Sequence, residues 1–224
     1  AMAMAGLFYA IYAGRSLLGP AGVLLGVWVV GGAALDLWMR SGRGNIKERL
    51  GRILRFPRGD WGKTVAHAGM GVTIFGVAAM TAWQQEDIRV VKIGETFEVG
   101  AYSFTLDDVE QVAGPNYSST LATVTTRRGN GAPVLMTPEK RFYPVAQMAT
   151  TEAAITNGIL RDLYVVIGDP QTNGGFAMRV YIKPFANWIW GGAMLMAIGG
   201  VISLSDRRLR FAVGAKRALQ VPAE

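Results

Sequence analysis

Cysteine is absent from the 224 residues, and histidine occurs once, as His67. Without a thiol, the chain can form no disulfide, iron–sulfur cluster, thiolate zinc site or thioether link to a prosthetic group. With a single imidazole, a metal site built wholly by this chain would have to rest on carboxylates. Acids are also few, with 16 Asp and Glu against 23 Lys and Arg, leaving a net charge of +7. That balance suits nucleic acid, but the basic residues cluster beside apolar spans, which is how membrane topology is written. A nucleic-acid partner is therefore set aside. No glycine-rich phosphate loop is present, and the serines lack a usable base, because the one histidine lies inside an apolar span.

Hydrophobic residues, by contrast, make up half the chain. The stretch WGKTVAHAGMGVTIFGVAAMTAW, Trp61 to Trp83, is long enough to cross a bilayer core of roughly 30 Å. Tryptophans bracket it at headgroup level, and Lys63 is close enough to one end to snorkel outward. His67 lies roughly 9 Å in from Trp61 at helical rise. An ionisable group at that depth is costly and marks a functional site by default. Gly71 is one turn above it, and Gly62, Ala66, Gly69, Thr73 and Gly76 form a strip of small residues that admits a helix backbone or a flat ligand. From this segment alone, His67 reads either as an axial ligand to haem iron or as a hydrogen-bond partner of another helix.

The chain in order predicts an α-helical integral membrane protein: about three full transmembrane helices, a partial N-terminal one, and an inserted all-β domain on the side of the membrane opposite the basic loops. Residues 1–39 hold the first spans. AMAMAGLFYAIYAG (1–14) reads as the latter part of a helix, as expected of a piece of a longer protein or the C-terminal product of a split gene. The next span ends near Asp36, an interfacial acid. Residues 40–60 form a basic loop, with seven Lys or Arg from Arg40 to Arg58 against Glu48 alone, which places it in the cytoplasm. Within it Ile46, Leu50, Ile53 and Leu54 make one apolar face of a short helix, expected on the inner leaflet. The His67 span (61–83) then runs outward.

Residues 84–184 change character: from 84 to 183 there are 11 acids against 9 basic residues. Strand-like runs at 88–93, 102–109, 120–126, 141–145, 162–168 and 176–183 are separated by GPN, RRGNG and GDPQTNGG. They predict a small antiparallel barrel or sandwich, an OB-like form included. TEAAITNG (151–158) reads as helix or strand. Residues 185–205 form the last span, with Trp188 and Trp190 at the outer interface. The basic tail 206–224 follows, with Arg207, Arg208 and Arg210 repeating the cytoplasmic signal.

Met70 and His67 project from one side of one helix, so they cannot sandwich one iron. A second ligand would come from outside this chain, or the iron would be five-coordinate. In the β region, Tyr117 and the run Lys140-Arg141-Phe142-Tyr143 suit contact with a partner or a haem propionate, against an ordinary loop and strand with solvated charges. Asp107, Asp108 and Glu110 read as an exposed strand end and not as a metal site.

The segments DWGKTVAHAGMG, GETFEVGAYSFTLDDVEQVAGPNYSST, LMTPEKRFYPVAQMATTEAAI, RDLYVVIGDP and NWIWGGAMLMAIGGVISLSDRRLR resemble the C-terminal part of the CcmF family, membrane subunits of the bacterial cytochrome c haem lyase. The resemblance runs from about residue 17 to 210. It implies a bacterial inner-membrane location and a b-type haem held by two transmembrane histidines, with His67 in AHAGMG matching the second. Two periplasmic histidines and a Trp-rich segment, which hold the family's haem for delivery, have no counterpart here. The resemblance therefore implies a chain that carries one haem b ligand but lacks the substrate-haem site. The family's reaction joins haem vinyl groups to CxxCH cysteines of apocytochrome c. Implied partners are the N-terminal part of CcmF, CcmH and CcmI, the haem chaperone CcmE, apocytochrome c and membrane lipid. The implied task of the b-haem is to reduce the incoming haem iron with electrons from quinol. The competing expectation is a haem-free scaffold recruiting partners through its β domain. A transporter is disfavoured, since no substrate pathway is evident.

Overall fold

The computed structural model describes residues 18–206, together with Met2 and Gly6. The expected partial helix at 1–14 and the cluster Arg207, Arg208 and Arg210 fall outside the described residues. The chain divides into a helical unit, residues 1–82 and 188–224, and a β unit, Trp83–Asn187.

In the helical unit, α1 (Leu18–Arg40), α3 (Arg58–Trp83) and α4 (Ala186–Leu204) are long and apolar enough to cross a membrane. Between α1 and α3 lies the short α2 (Ile46–Ile53). Its start is capped by Asn45, whose Oδ1 accepts from the Glu48 amide at 2.9 Å and whose Nδ2 donates to the Glu48 carboxylate at 2.8 Å. Of its apolar face only Ile53 is buried, while Ile46, Leu50 and Leu54 are exposed.

Three reciprocal glycine pairs set how the spans meet. A Cβ built on Gly26 of α1 would lie 2.7 Å from the Gly71 carbonyl of α3, and one on Gly71 would lie 2.6 Å from that of Gly26. Between α3 and α4 the same holds for Gly69 with Gly192 (2.6 Å each way) and Gly62 with Gly199 (2.5 and 2.6 Å). Only glycine permits backbones this close. The small strip Gly62, Ala66, Gly69 and Thr73 is therefore taken up by α4; of the two candidate occupants, a helix lies there. Asp206 closes the arrangement by accepting the Gly59 amide at 2.8 Å near the start of α3.

The β unit contains ten strands: β1 (Gln85–Val91), β2 (Thr96–Val99), β3 (Tyr102–Ala113), β4 (Ser118–Arg128), β5 (Val134–Met136), β6 (Glu139–Tyr143), β7 (Met148–Glu152), β8 (Ala154–Thr156), β9 (Arg161–Pro170) and β10 (Phe176–Pro184). A four-stranded antiparallel sheet has the order β1-β10-β9-β8, and a six-stranded one the order β2-β3-β4-β6-β7, with β5 also on β4. Two separate sheets make this a sandwich; of the two expected forms, the closed barrel is not the one adopted. The core is built by alternation: Phe104 and Leu106 of β3 and Val124 of β4 share it with Val165 and Ile167 of β9 and Met178 and Val180 of β10. A bulge at Asp107 shifts the register from Leu106↔Val124 to Asp108↔Thr123. The segment open to helix or strand is extended, divided between β7 and β8. The run expected as a strand at 141–145 begins earlier and stops at Tyr143, because Pro144 cannot supply a ladder donor.

Candidate functional site

His67 stands on α3 with its side chain exposed. Its Nδ1 lies 2.8 Å from the Lys63 carbonyl oxygen, one turn earlier. A carbonyl only accepts, so in the neutral ring Nδ1 carries the hydrogen and Nε2 keeps a bare lone pair. That is the tautomer a metal bound at Nε2 needs, and the bond to the Lys63 carbonyl fixes the ring's orientation.

The ring faces a groove of about 290 Å³ between α1 and α3, lined by Trp28, Gly32 and Asp36 on one side and Lys63, Thr64 and His67 on the other. The helices touch at Gly26 and Gly71, but a Cβ on Gly32 would meet nothing within 4 Å. The groove thus has an accessible imidazole and open space at Gly32, with Trp28 beside it. Both features fit a flat group ligated through Nε2. Met70 is half exposed on the same helix, and the described residues contain no group of three or more His, Cys, Asp or Glu placed to hold a metal.

Charges close one end of the groove. Lys63 Nζ is 2.7 Å from Asp36, Arg40 Nε is 3.5 Å from the same carboxylate, and Arg40 also bonds Asp60. Asp36 is thus paired. Arg49 ties α2 to the end of α1, with its guanidinium 3.7 Å over the Trp38 ring and 2.8 Å from Ser41 Oγ.

The set expected in the β domain divides. Tyr117 and Tyr143 approach with ring centroids 5.5 Å apart, and Arg141 lies 4.7 Å above the Tyr117 ring. Lys140, one residue away on β6, bonds Asp169 at 2.5 Å instead. Adjacent strand residues point to opposite faces, so a run contiguous in sequence cannot be one surface. Arg141 donates to Glu139 at 2.9 Å, which raises its own pKa and holds the Glu139 carboxyl below its usual range; Ser119 adds to the latter and desolvation opposes it. Tyr117 is fixed further by its hairpin, since a Cβ on Gly114 would lie 2.4 Å from its ring. Asp107 and Asp108 occupy the bulge, and Asp108 accepts the Val109 amide at 2.8 Å.

The sequence reading missed one polar set. Asp162, 2% exposed, accepts the Gly158 amide and Asn187 Nδ2, both at 2.9 Å, while Asn187 also donates to the Gly158 carbonyl at 3.0 Å. These partners lie 25 and 29 residues apart in sequence, and no local signal joins them.

Comparison with known proteins agrees with this architecture. Residues 82–184 match the family model described as the CcmF C-terminal beta-sandwich. The cytochrome c-type biogenesis protein Ccl1 of Rhodobacter capsulatus is 51% identical over 217 residues, which cover 97% of this chain and 32% of Ccl1. CcmF of Escherichia coli is 40% identical over 171 residues, covering 73% of this chain and 26% of that protein. A solved structure of the cytochrome c haem lyase CcmF shares the fold at a TM-score of 0.56 and 17% identity, covering 83% of this chain and 34% of that one. The chain spans about a third of the length of relatives such as Ccl1 and the CycK proteins of two rhizobia. Helical spans and sandwich together, the chain belongs to the CcmF family of cytochrome c-type biogenesis proteins, as a C-terminal portion.

Proposed function

We propose that the chain is part of a membrane haem lyase that attaches haem covalently to apocytochrome c. Through His67 it supplies one axial ligand to a transmembrane b-type haem, and its β domain is a docking surface. The observation that carries this reading is the Nδ1 contact to the Lys63 carbonyl, which leaves Nε2 bare on a residue that lines an open groove. Haem bound there would supply one-electron chemistry. The chain's own part is to orient the imidazole, to leave room over Gly32, and to close one end of the groove with Asp36, Lys63 and Arg40. The second ligand comes from the remaining part of the CcmF-like protein.

The charge pattern supports an inner-membrane location with the α2 loop and the C-terminal tail cytoplasmic and the β domain periplasmic. There the domain would meet CcmE carrying haem, and CcmH or CcmI presenting apocytochrome c. Arg141, Tyr117 and Tyr143 are candidates for that contact, and Lys140 would act on the other face of its strand.

The test is the optical spectrum of the chain purified with the rest of its complex, wild type beside His67→Ala. Loss or shift of a low-spin b-type band, with the complex still assembled, is expected. An unchanged band would make His67 a packing residue and the chain a haem-free scaffold. For docking, retained capture of CcmE and apocytochrome c after deletion of residues 86–183 would remove the β domain from that role.

A further inference from the structure

The outer faces of the two sheets have different chemistry. Leu121 and Leu135 aside, the positions alternating with the core on the six-stranded sheet are mostly polar. They include Ser103 and Thr105 on β3 and Thr123 and Thr125 on β4, and Thr96 Oγ1 lies 2.8 Å from Thr105 Oγ1. That is how an antiparallel sheet looks when one face is solvated.

The four-stranded sheet does not follow this rule. Between its core residues Leu163, Val165 and Ile167, strand β9 turns Tyr164 and Val166 outward. The register gathers similar residues beside them. Tyr164 lies opposite both Tyr181 and Ile155, and Arg179 stands between Ile88 and Val166. Val90 continues the face opposite Ala177. Ile88, Val90 and Ile155 are 61%, 41% and 49% exposed. Single exposed aliphatics are ordinary, but a contiguous apolar and aromatic sheet face is not. Strands carrying near-continuous apolar runs are those of a sheet covered on both sides.

The charges on this face are unevenly matched. Arg179 is held by Glu86 at 2.7 Å. Lys183 forms no ion pair among the described residues; its Nζ rests 4.0 Å from the Tyr164 ring centroid and 5.2 Å from that of Tyr181. A cover for this face would therefore be apolar and bear a carboxylate for Lys183.

We propose that this face is covered by the part of the CcmF-like protein that the present chain does not span, through an apolar segment carrying an acid that meets Lys183. The relatives are about three times as long as this chain, which is length enough to supply such a cover. A permanent occupant suits the surface better than a visiting one, because an apolar sheet face left bare between visits invites aggregation. A second copy suits it less well, since a two-fold contact would set Lys183 and Arg179 against their own kind, while Glu86 is already paired with Arg179 and Asp162, opposite Lys183 in the register, is buried on Gly158 and Asn187. The inference rests on family membership and not on haem ligation by His67.

The natural absence of cysteine makes the test clean. Ile88→Cys and Ile155→Cys are introduced singly, with Glu98→Cys on the exposed outer side of β2 as control. Each is labelled with a hydrophilic maleimide, in the chain expressed alone and co-expressed with the remaining portion of the CcmF-like protein. The expected result is free labelling of all three in the chain alone. On co-expression, labelling at Ile88 and Ile155 should slow at least about tenfold, equivalent to about 1.4 kcal/mol of protection, with no change at Glu98. Equal labelling under both conditions overturns the proposal. So does protection in the chain alone accompanied by a dimer mass, or protection that appears only when CcmE or apocytochrome c is added. No haem is read, so failure here and failure of the haem assignment are separate results.

Discussion

His67 Nδ1 is bonded to the main chain of Lys63 and not to its side chain, at 2.8 Å, while the Lys63 ammonium is occupied by Asp36 at 2.7 Å. The two halves of Lys63 thus have different roles, and mutation separates them. Lys63→Ala keeps the carbonyl acceptor and breaks only the ion pair. In the assembled complex it should retain the b-type absorbance that His67→Gln loses. If the band vanished in Lys63→Ala, the charge network at the groove's end, and not the helix backbone, would be setting the imidazole.

The glycines of the spans fall into two groups that substitution should distinguish. A Cβ on Gly199 would lie 2.4 Å from the Ala66 nitrogen and 2.6 Å from the Gly62 oxygen, both backbone atoms of a packed helix that cannot step aside. Gly199→Ala should cost about 1–3 kcal/mol, the usual range for overpacking. Gly32→Ala, with nothing within 4 Å, should be neutral or slightly stabilising. Thermal unfolding in detergent, followed by far-ultraviolet circular dichroism, measures both. Gly32→Phe adds a second readout: it should leave the helices folded but fill the groove, and remove the b-type band from the complex. A full haem complement in Gly32→Phe would place the flat ligand elsewhere.

Much of this architecture is legible in one dimension, and the illegible part has a common cause. The spans are read directly because a membrane helix must be continuously apolar and satisfies its backbone within itself. His67 is conspicuous for the same reason. The strands of the sandwich are visible from turn residues, yet their partners are not. β1 pairs with β10, joining Gln85 to Ile182 across the whole domain, and no local pattern encodes that closure. The three-residue β5 and the four-residue β2 are too short to show a period. The strip Gly62, Ala66 and Gly69 announces close approach without saying what approaches, and only α4 in place answers that. Lys140 and Arg141 read as one basic run in sequence, but alternation along β6 sends them to Asp169 and Glu139 respectively.

The Arg141–Glu139 pair gives a pH dependence with a definite sign. The Arg141 hydrogen bond is the main reason why the folded Glu139 carboxyl titrates below its ordinary 4.5, with burial opposing and Ser119 assisting. A group depressed on folding stabilises the folded chain fully above its unfolded pKa and loses that contribution as pH falls through the folded one. The stability difference between wild type and Glu139→Gln should therefore be level above about pH 5.5 and shrink below about pH 4. Denaturant unfolding of the detergent-solubilised chain at a series of pH values measures it. A difference that instead grew on acidification would mean that the neutral carboxyl is the form the fold prefers.

Asp162 and Asn187 offer the sharpest test of the sandwich itself. Asp162 is almost wholly buried at the start of β9, and its partners are the Gly158 amide and the Asn187 side chain, where the chain passes into α4. Asn187→Ala removes a donor from both the carboxylate and the Gly158 carbonyl, leaving buried acceptors underused. That should cost about 1–3 kcal/mol. Asp162→Asn keeps an acceptor oxygen for both donors and should cost less. If the residues act as a unit, the double variant Asp162→Ala/Asn187→Ala should be less destabilised than the sum of the two alanine variants, by about 0.5–3 kcal/mol of coupling. Strict additivity in thermal unfolding would make the contact incidental, and the turn at Gly158 would then have to be held by its backbone alone.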